Sequence, residues 1–142
     1  MGKFIKDQLK GWIVLIVEDE PDSLEVAMRW LKLAGADVYT AENGREALKI
    51  CNEVKPHLII SDLTMPVMDG WELLYELRQS PDTANLPVIA LTAHALSTVR
   101  DRALEAGFIA HIPKPLSPTK FIDQIISIIK DVPELAVNLN SH

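Results

Sequence analysis

Short β-branched apolar runs alternate strictly with helix-patterned segments from Trp12 to about Val132. IVLIV (13–17) is uninterrupted and short, as a strand covered on both faces should be. Residues 22–34 repeat at helical spacing through Leu24, Ala27, Met28, Leu31 and Ala34, with Gly35 as the stop. ADVYTA (36–41) reads as a second strand, and a helix opened by Asn43 and ended by Lys55-Pro56 follows. HLIIS (57–61), a helix over 71–79, VIALT (88–92), a helix over 96–106 closed by Gly107, and FIAHI (108–112) continue the series. The last helix is expected from Ser117 as N-cap with Pro118 in its first turn. Such alternation calls for an α/β fold, a doubly wound parallel sheet of five strands with five helices on its two faces.

The length of 142 residues suits one domain with one good core. We read residues 1–11 as an N-terminal extension, 12–132 as the domain and 133–142 as a tail. A net charge of −6 argues against nucleic acid as partner, because phosphate binding runs on Lys and Arg. Cys51 alone excludes an internal disulfide and fits a reducing, cytoplasmic setting. Sharing a helix face with Ala47, Leu48 and Val54, it reads as a buried core thiol. The start MGKFIKDQLKGW lacks the apolar stretch of a signal peptide, and no apolar run approaches the ~18 residues of a membrane span.

Ligands of such sheets bind beyond the carboxyl ends of the strands. There the first strand delivers Glu18 and Asp19, the third Asp62, the fourth Thr92 and the fifth Lys114. Each residue alone has a plain reading: a helix cap, a solvated charge, a surface lysine. Together they put three carboxylates, a hydroxyl and an ammonium on one rim. Crowded carboxylates repel unless a cation joins them, and Mg²⁺ suits an all-oxygen set while keeping several of its waters.

VEDE (17–20), SDLTMPVMDG (61–70), ALTA (90–93) and PKP (113–115) together resemble the receiver domain of two-component response regulators, of the chemotaxis type. The resemblance spans about residues 12–132, and it implies a flavodoxin-like sheet of strand order 2-1-3-4-5. It makes Asp62 the phosphoacceptor, with Asp19 as a direct Mg²⁺ ligand, Glu18 acting partly through water, and the Thr64 carbonyl completing the protein's share. Thr92 becomes the switch hydroxyl and Lys114 the partner of the phosphoryl group. Pro115 falls where the family often has a cis peptide. The phosphodonor would be a histidine kinase or phosphotransfer protein, and the output an unknown downstream protein.

Departures from the family's pattern concern the switch. His111 stands where Tyr or Phe is usual, so switching is expected to be weaker or pH-dependent, unless the ring merely sits on the outer face of an edge strand. Ala93 and His94 follow Thr92, and residues at the positions of His94 and Thr64 influence loss of the phosphoryl group to water in that family. His57 is expected to be solvated and Trp71 to pack against the acceptor loop. On the first helix Val26, Trp30 and Leu33 form a second apolar stripe, either covered by Phe4, Ile5 and Leu9 or kept for a phosphodonor's helices.

With only residues 133–142 after the last helix, the chain reads as a receiver without an output domain, or as a module of a larger hybrid kinase or regulator. An Asp-nucleophile phosphohydrolase would want a second Asp where Thr64 stands. A flavin carrier of the same topology would want a phosphate-binding loop where Glu18-Asp19-Glu20 stand.

Overall fold

The alternation resolves into a doubly wound sheet in the computed structural model, which describes residues 7–93, 96–132 and 135. The elements in chain order are β1 (Ile13–Val17), α1 (Pro21–Leu33), β2 (Asp37–Ala41), α2 (Gly44–Val54), β3 (Leu58–Asp62), α3 (Gly70–Gln79), β4 (Val88–Thr92), α4 (Ser97–Ala106), β5 (Ala110–Pro113) and α5 (Phe121–Lys130). The strands are parallel, in the expected order β2-β1-β3-β4-β5.

Period-two alternation sorts the core into two halves. Val14, Ile16, Leu58, Ile60, Ile89 and Leu91 face α1 and α5, packing on Ala27, Leu31, Phe121, Ile125 and Ile129. Their neighbours Leu15, Val17, Ile59, Val88 and Ala90 face α2, α3 and α4 through Ala47, Cys51, Leu73, Leu77 and Ala103. Cys51 is buried as expected, and burial pushes its thiol up to about 11, which makes it inert.

Helix boundaries follow local chemistry. Asn43 Oδ1 accepts the Glu46 N–H at 3.0 Å to open α2. Asp69 and Glu72 form a reciprocal capping box that opens α3. Gly107, at φ +119°, closes α4 in the left-handed region.

Two elements begin later than the sequence pattern suggests. β5 is Ala110–Pro113, because Phe108 is turned into the core and its N–H closes the end of α4 on the Ala103 carbonyl at 3.1 Å. Regular α5 begins at Phe121. Ser117 Oγ lies 3.4 Å from Thr119 Oγ1 instead of capping, and the Ser117 carbonyl accepts from Lys120 and Phe121 in a separate turn.

The apolar stripe of α1 is partly covered. Val26 and Trp30 are half-buried against the α1–α5 half of the core, while Leu33 stays 45% exposed. Leu9 is fully buried in that same half, and its N–H donates to the Ala34 carbonyl at 2.7 Å. Phe4 and Ile5 lie outside the described residues. His57 is more than a solvated ring: its Nδ1 accepts the Ile13 N–H at 2.9 Å, and its ring meets Trp12 edge-on at 5.9 Å. Among the described residues no helix is long and apolar enough to cross a membrane.

Candidate functional site

Four adjacent strands end on one rim and each contributes there. Glu18 directly follows β1, held by its N–H on the Ala41 carbonyl at 2.9 Å. Asp62 is the last residue of β3, and Thr92 the last of β4. Lys114 follows β5, its N–H on the Thr92 carbonyl at 2.8 Å, and the Lys114–Pro115 peptide is cis. Glu18 is fully buried, Asp62 and Thr92 nearly so, and Asp19 is exposed.

The Lys114 ammonium ties the rim together. Its Nζ lies 2.9 Å from Glu18 Oε1, 3.1 Å from Asp62 Oδ2 and 3.5 Å from Glu20 Oε1. The other oxygens are held by backbone: Thr64 N–H donates to Asp62 Oδ1 at 3.2 Å, and Glu20 N–H to Glu18 Oε2 at 3.1 Å. Gly70 presses against this framework from below. A Cβ there would run into the Asp62 carbonyl oxygen and stand 3.0 Å from Leu63 Cα, so no side chain fits.

Burial makes the ionised form of Glu18 costly and pushes its pKa up to about 7; Lys114 opposes the rise and the Asp62 charge adds to it. Burial also works against the Lys114 ammonium, but its bonds to Glu18 and Asp62 outweigh this and hold it above its usual range. Glu18, Asp19 and Asp62 bring carboxylate oxygens within 4.8 Å of one another. Lys114 is one ammonium against Glu18, Glu20 and Asp62, with Asp19 close by, so the cluster holds more carboxylates than one cation can balance. The donor set therefore fits a hard divalent cation, and the cluster is capable of coordinating one.

The structure thus brings together Glu18, Asp19, Asp62, Thr64, Thr92 and Lys114, the residues singled out from sequence. Ala93 follows Thr92 and is exposed, and His94 lies outside the described residues. His111 is half-buried on β5, lining a groove of about 440 Å³ with Lys120, Asp123 and Ser127. Burial, with Arg100 nearby, holds its imidazole below the ordinary value.

Trp71 packs on the half of the core that holds Leu63 and Met65, edge-on to Phe108 at 5.6 Å, with the Arg102 guanidinium 5.3 Å from its ring centre. Sequence reasoning missed the Glu20 contact to Lys114 and the close approach of Gly70. The Asp69-Gly70 pair so soon after Asp62 was the available signal for the latter.

Residues 14–126 match the model of the response regulator receiver domain. An uncharacterized 14.6 kDa protein of Leptolyngbya boryana is 40% identical over 109 residues, covering 77% of this chain and 83% of that one. The chain spans about half the length of another relative, the probable transcriptional regulator ycf27 of Porphyridium aerugineum, to which it is 37% identical. Among solved structures, a response regulator from Desulfuromonas acetoxidans superposes with a TM-score of 0.77 at 30% identity, covering 85% of this chain and 98% of that one. The receiver domain of the sensor histidine kinase PA1611 from Pseudomonas aeruginosa, solved with magnesium coordinated in its active-site cleft, gives 0.72 at 30% identity, covering 81% and 93%. With the family model matching most of the chain and the sheet order agreeing, this protein belongs to the response regulator receiver domain family.

Proposed function

We propose that Asp62 accepts a phosphoryl group from a phosphohistidine on a histidine kinase or phosphotransfer protein, in a Mg²⁺-dependent reaction. The observation that carries this reading is the placement of Asp62 at the tip of β3, 3.1 Å from Lys114 and within the acidic cluster. An Asp62 carboxylate oxygen attacks phosphorus, forming a P–O bond as the P–N bond to the donor imidazole breaks. The donor imidazole, protonated at its other ring nitrogen, leaves with the bonding electron pair and so ends neutral. Lys114 and the Thr92 hydroxyl bind the phosphoryl oxygens, and alignment plus neutralisation is most of what such transfer asks of a protein.

Asp19, Glu18, Asp62 and the Thr64 carbonyl would hold Mg²⁺, as the donor chemistry and the magnesium in the PA1611 receiver domain support. Bound there, the ion supplies neutralisation of charge on the transferring group. Thr92 then serves as the switch, with Ala93, His94 and His111 tuning it, and the signal passes to a downstream protein in the cytoplasm.

The test is intact-mass spectrometry with acetyl phosphate. One phosphoryl adduct should form with Mg²⁺, and none with EDTA or in Asp62→Asn. An adduct that survives Asp62→Asn overturns the assignment.

A further inference from the structure

The first helix opens against local chemistry. Glu20 occupies the N-cap of α1, where Ser, Thr, Asp or Asn would satisfy a free N–H, and its side chain makes no cap bond. The carboxylate turns to the rim instead. Its Oε1 accepts the Ser23 hydroxyl at 2.7 Å and stands 3.5 Å from Lys114 Nζ. The backbone is fixed on both sides: Glu20 N–H donates to Glu18 Oε2 at 3.1 Å, and the Glu20 carbonyl accepts the Leu24 N–H at 3.0 Å. A side chain that is 60% exposed is thus held at the mouth of the site by a hydroxyl from the first turn of α1.

An ammonium has three protons to donate, and Lys114 has three carboxylates around it. The three contacts differ in what it costs to break them. Glu18 is fully buried, so losing Lys114 would strand its charge. Asp62 passes its own charge to the phosphoryl group when it becomes an acyl phosphate. Glu20 has solvent on one side and Ser23 on the other, so it can release the ammonium cheaply.

We propose that Glu20 is a positioning residue: it holds a share of Lys114 while Asp62 is unmodified, and competes with the phosphoryl group for that ammonium afterwards. This rests on the phosphoacceptor reading above and deepens it. Glu20 therefore weighs against the phosphorylated state, and Ser23 keeps it in place to do so. If the Glu20–Ser23 pair only steadied the first turn of α1, Glu20 would have no influence on what binds at Asp62.

The experiment titrates the full chain, in saturating MgCl₂, with beryllofluoride as a phosphoryl mimic, following the Thr64 and Lys114 amides by NMR. Glu20→Gln removes the charge. Glu20→Asp keeps the charge but shortens the arm and suits the N-cap, so it separates reach from charge. Glu42→Gln removes another exposed acid, one that directly follows β2. Both Glu20 variants should lower the half-saturating beryllofluoride concentration about two- to fivefold, the scale of one exposed ion pair. Glu42→Gln should match the unaltered chain. Unchanged or weaker binding in Glu20→Gln overturns the proposal, even where its melting temperature moves, since that is the mark of a role confined to the helix. A Glu20→Asp variant that binds as the unaltered chain does also overturns it, because charge without contact would then suffice, as does a Glu42→Gln variant that gains equally. If acetyl phosphate fails to label Asp62 in the unaltered chain, the phosphoacceptor reading itself has failed.

Discussion

At the scale of single residues, His111 carries the clearest pH signature. Its imidazole is held below its ordinary 6.5 by burial and by Arg100, with Lys120 and Asp123 also lining its groove. A base whose folded pKa is depressed binds its proton less readily folded than unfolded. Its neutral form is accommodated above about pH 6.5, and stability falls as pH drops from there through the folded value. Glu18, with its pKa raised to about 7, works the other way and adds stability as pH drops below that value, so the test is a difference. Between pH 8 and 5 the thermal midpoint of His111→Gln should gain on that of the unaltered chain as pH falls, and an identical profile removes His111 as a contributor. If His111 takes the switch role proposed for it, the same argument predicts pH-sensitive switching. Imidazolium resists desolvation, so changes around β5 on adding beryllofluoride should be weaker at pH 6 than at pH 8 by NMR, and pH-independent in His111→Tyr. Gly70 is the steric counterpart. Gly70→Ala forces backbone apart at the Asp62 carbonyl and should cost about 1–3 kcal/mol in chemical denaturation, with loss of acetyl phosphate labelling. Normal stability in that variant would mean that the loop yields more freely than its hydrogen bonds suggest.

At the scale of elements, α4 depends on α3. Among its described residues only Ala103 is buried, and its N-terminus lacks a side-chain cap. Its C-terminal half is tied down twice: Arg102 over Trp71, and Arg78 of α3, whose Nη1 donates to the Leu86 carbonyl at 2.8 Å and whose Nη2 reaches the Gly107 carbonyl at 3.4 Å. Arg78→Met removes the donor from carbonyls inside the α3–β4 and α4–β5 turns. It should destabilise by about 1–3 kcal/mol, the scale of the charge-assisted hydrogen bonds lost to part-buried and exposed carbonyls. Arg102→Gln should cost under about 1 kcal/mol, since an exposed cation–π contact is weak. Denaturant midpoints decide, and the reverse order would shift the anchoring role to the Trp71 stack.

These ties also mark where sequence reading stops. The strand runs were legible because a fully covered strand is continuously apolar. Their tips were legible because each run ends on a polar residue in a topology that sends every parallel strand to one rim. Arg78 was not legible: nothing in the local pattern of α3 shows that its guanidinium reaches Gly107, 29 residues away. Nor was the late start of α5, since Ser117-Pro118 carries an N-terminal signal that the chain uses for an isolated turn.

At the scale of the whole molecule, the sheet order makes a charge problem that the fold alone leaves half solved. β1, β3, β4 and β5 lie side by side, so Glu18, Asp62 and Lys114 meet although up to 96 positions separate them, as the Lys114 contacts show. One ammonium does not balance these carboxylates, so a divalent cation bound at the cluster would link its occupancy to folding. A ligand that binds only the folded state stabilises by RT ln(1 + [L]/Kd), about 1.4 kcal/mol at ten times Kd. For a chain this size that is a rise of about 3–6 °C in the melting midpoint. MgCl₂ should produce it, NaCl of equal ionic strength should not, and Asp19→Asn should lose it. Lys114→Met separates this linkage from general screening, because it removes the competing positive charge 3.1 Å from Asp62. Without metal the variant is less stable, its carboxylates facing one another with no partner. With metal it should recover more than the unaltered chain does, and its apparent affinity for Mg²⁺ should rise. A variant that binds Mg²⁺ more weakly than the unaltered chain would show that Lys114 organises the carboxylates for the ion, and that alignment outweighs charge at this rim.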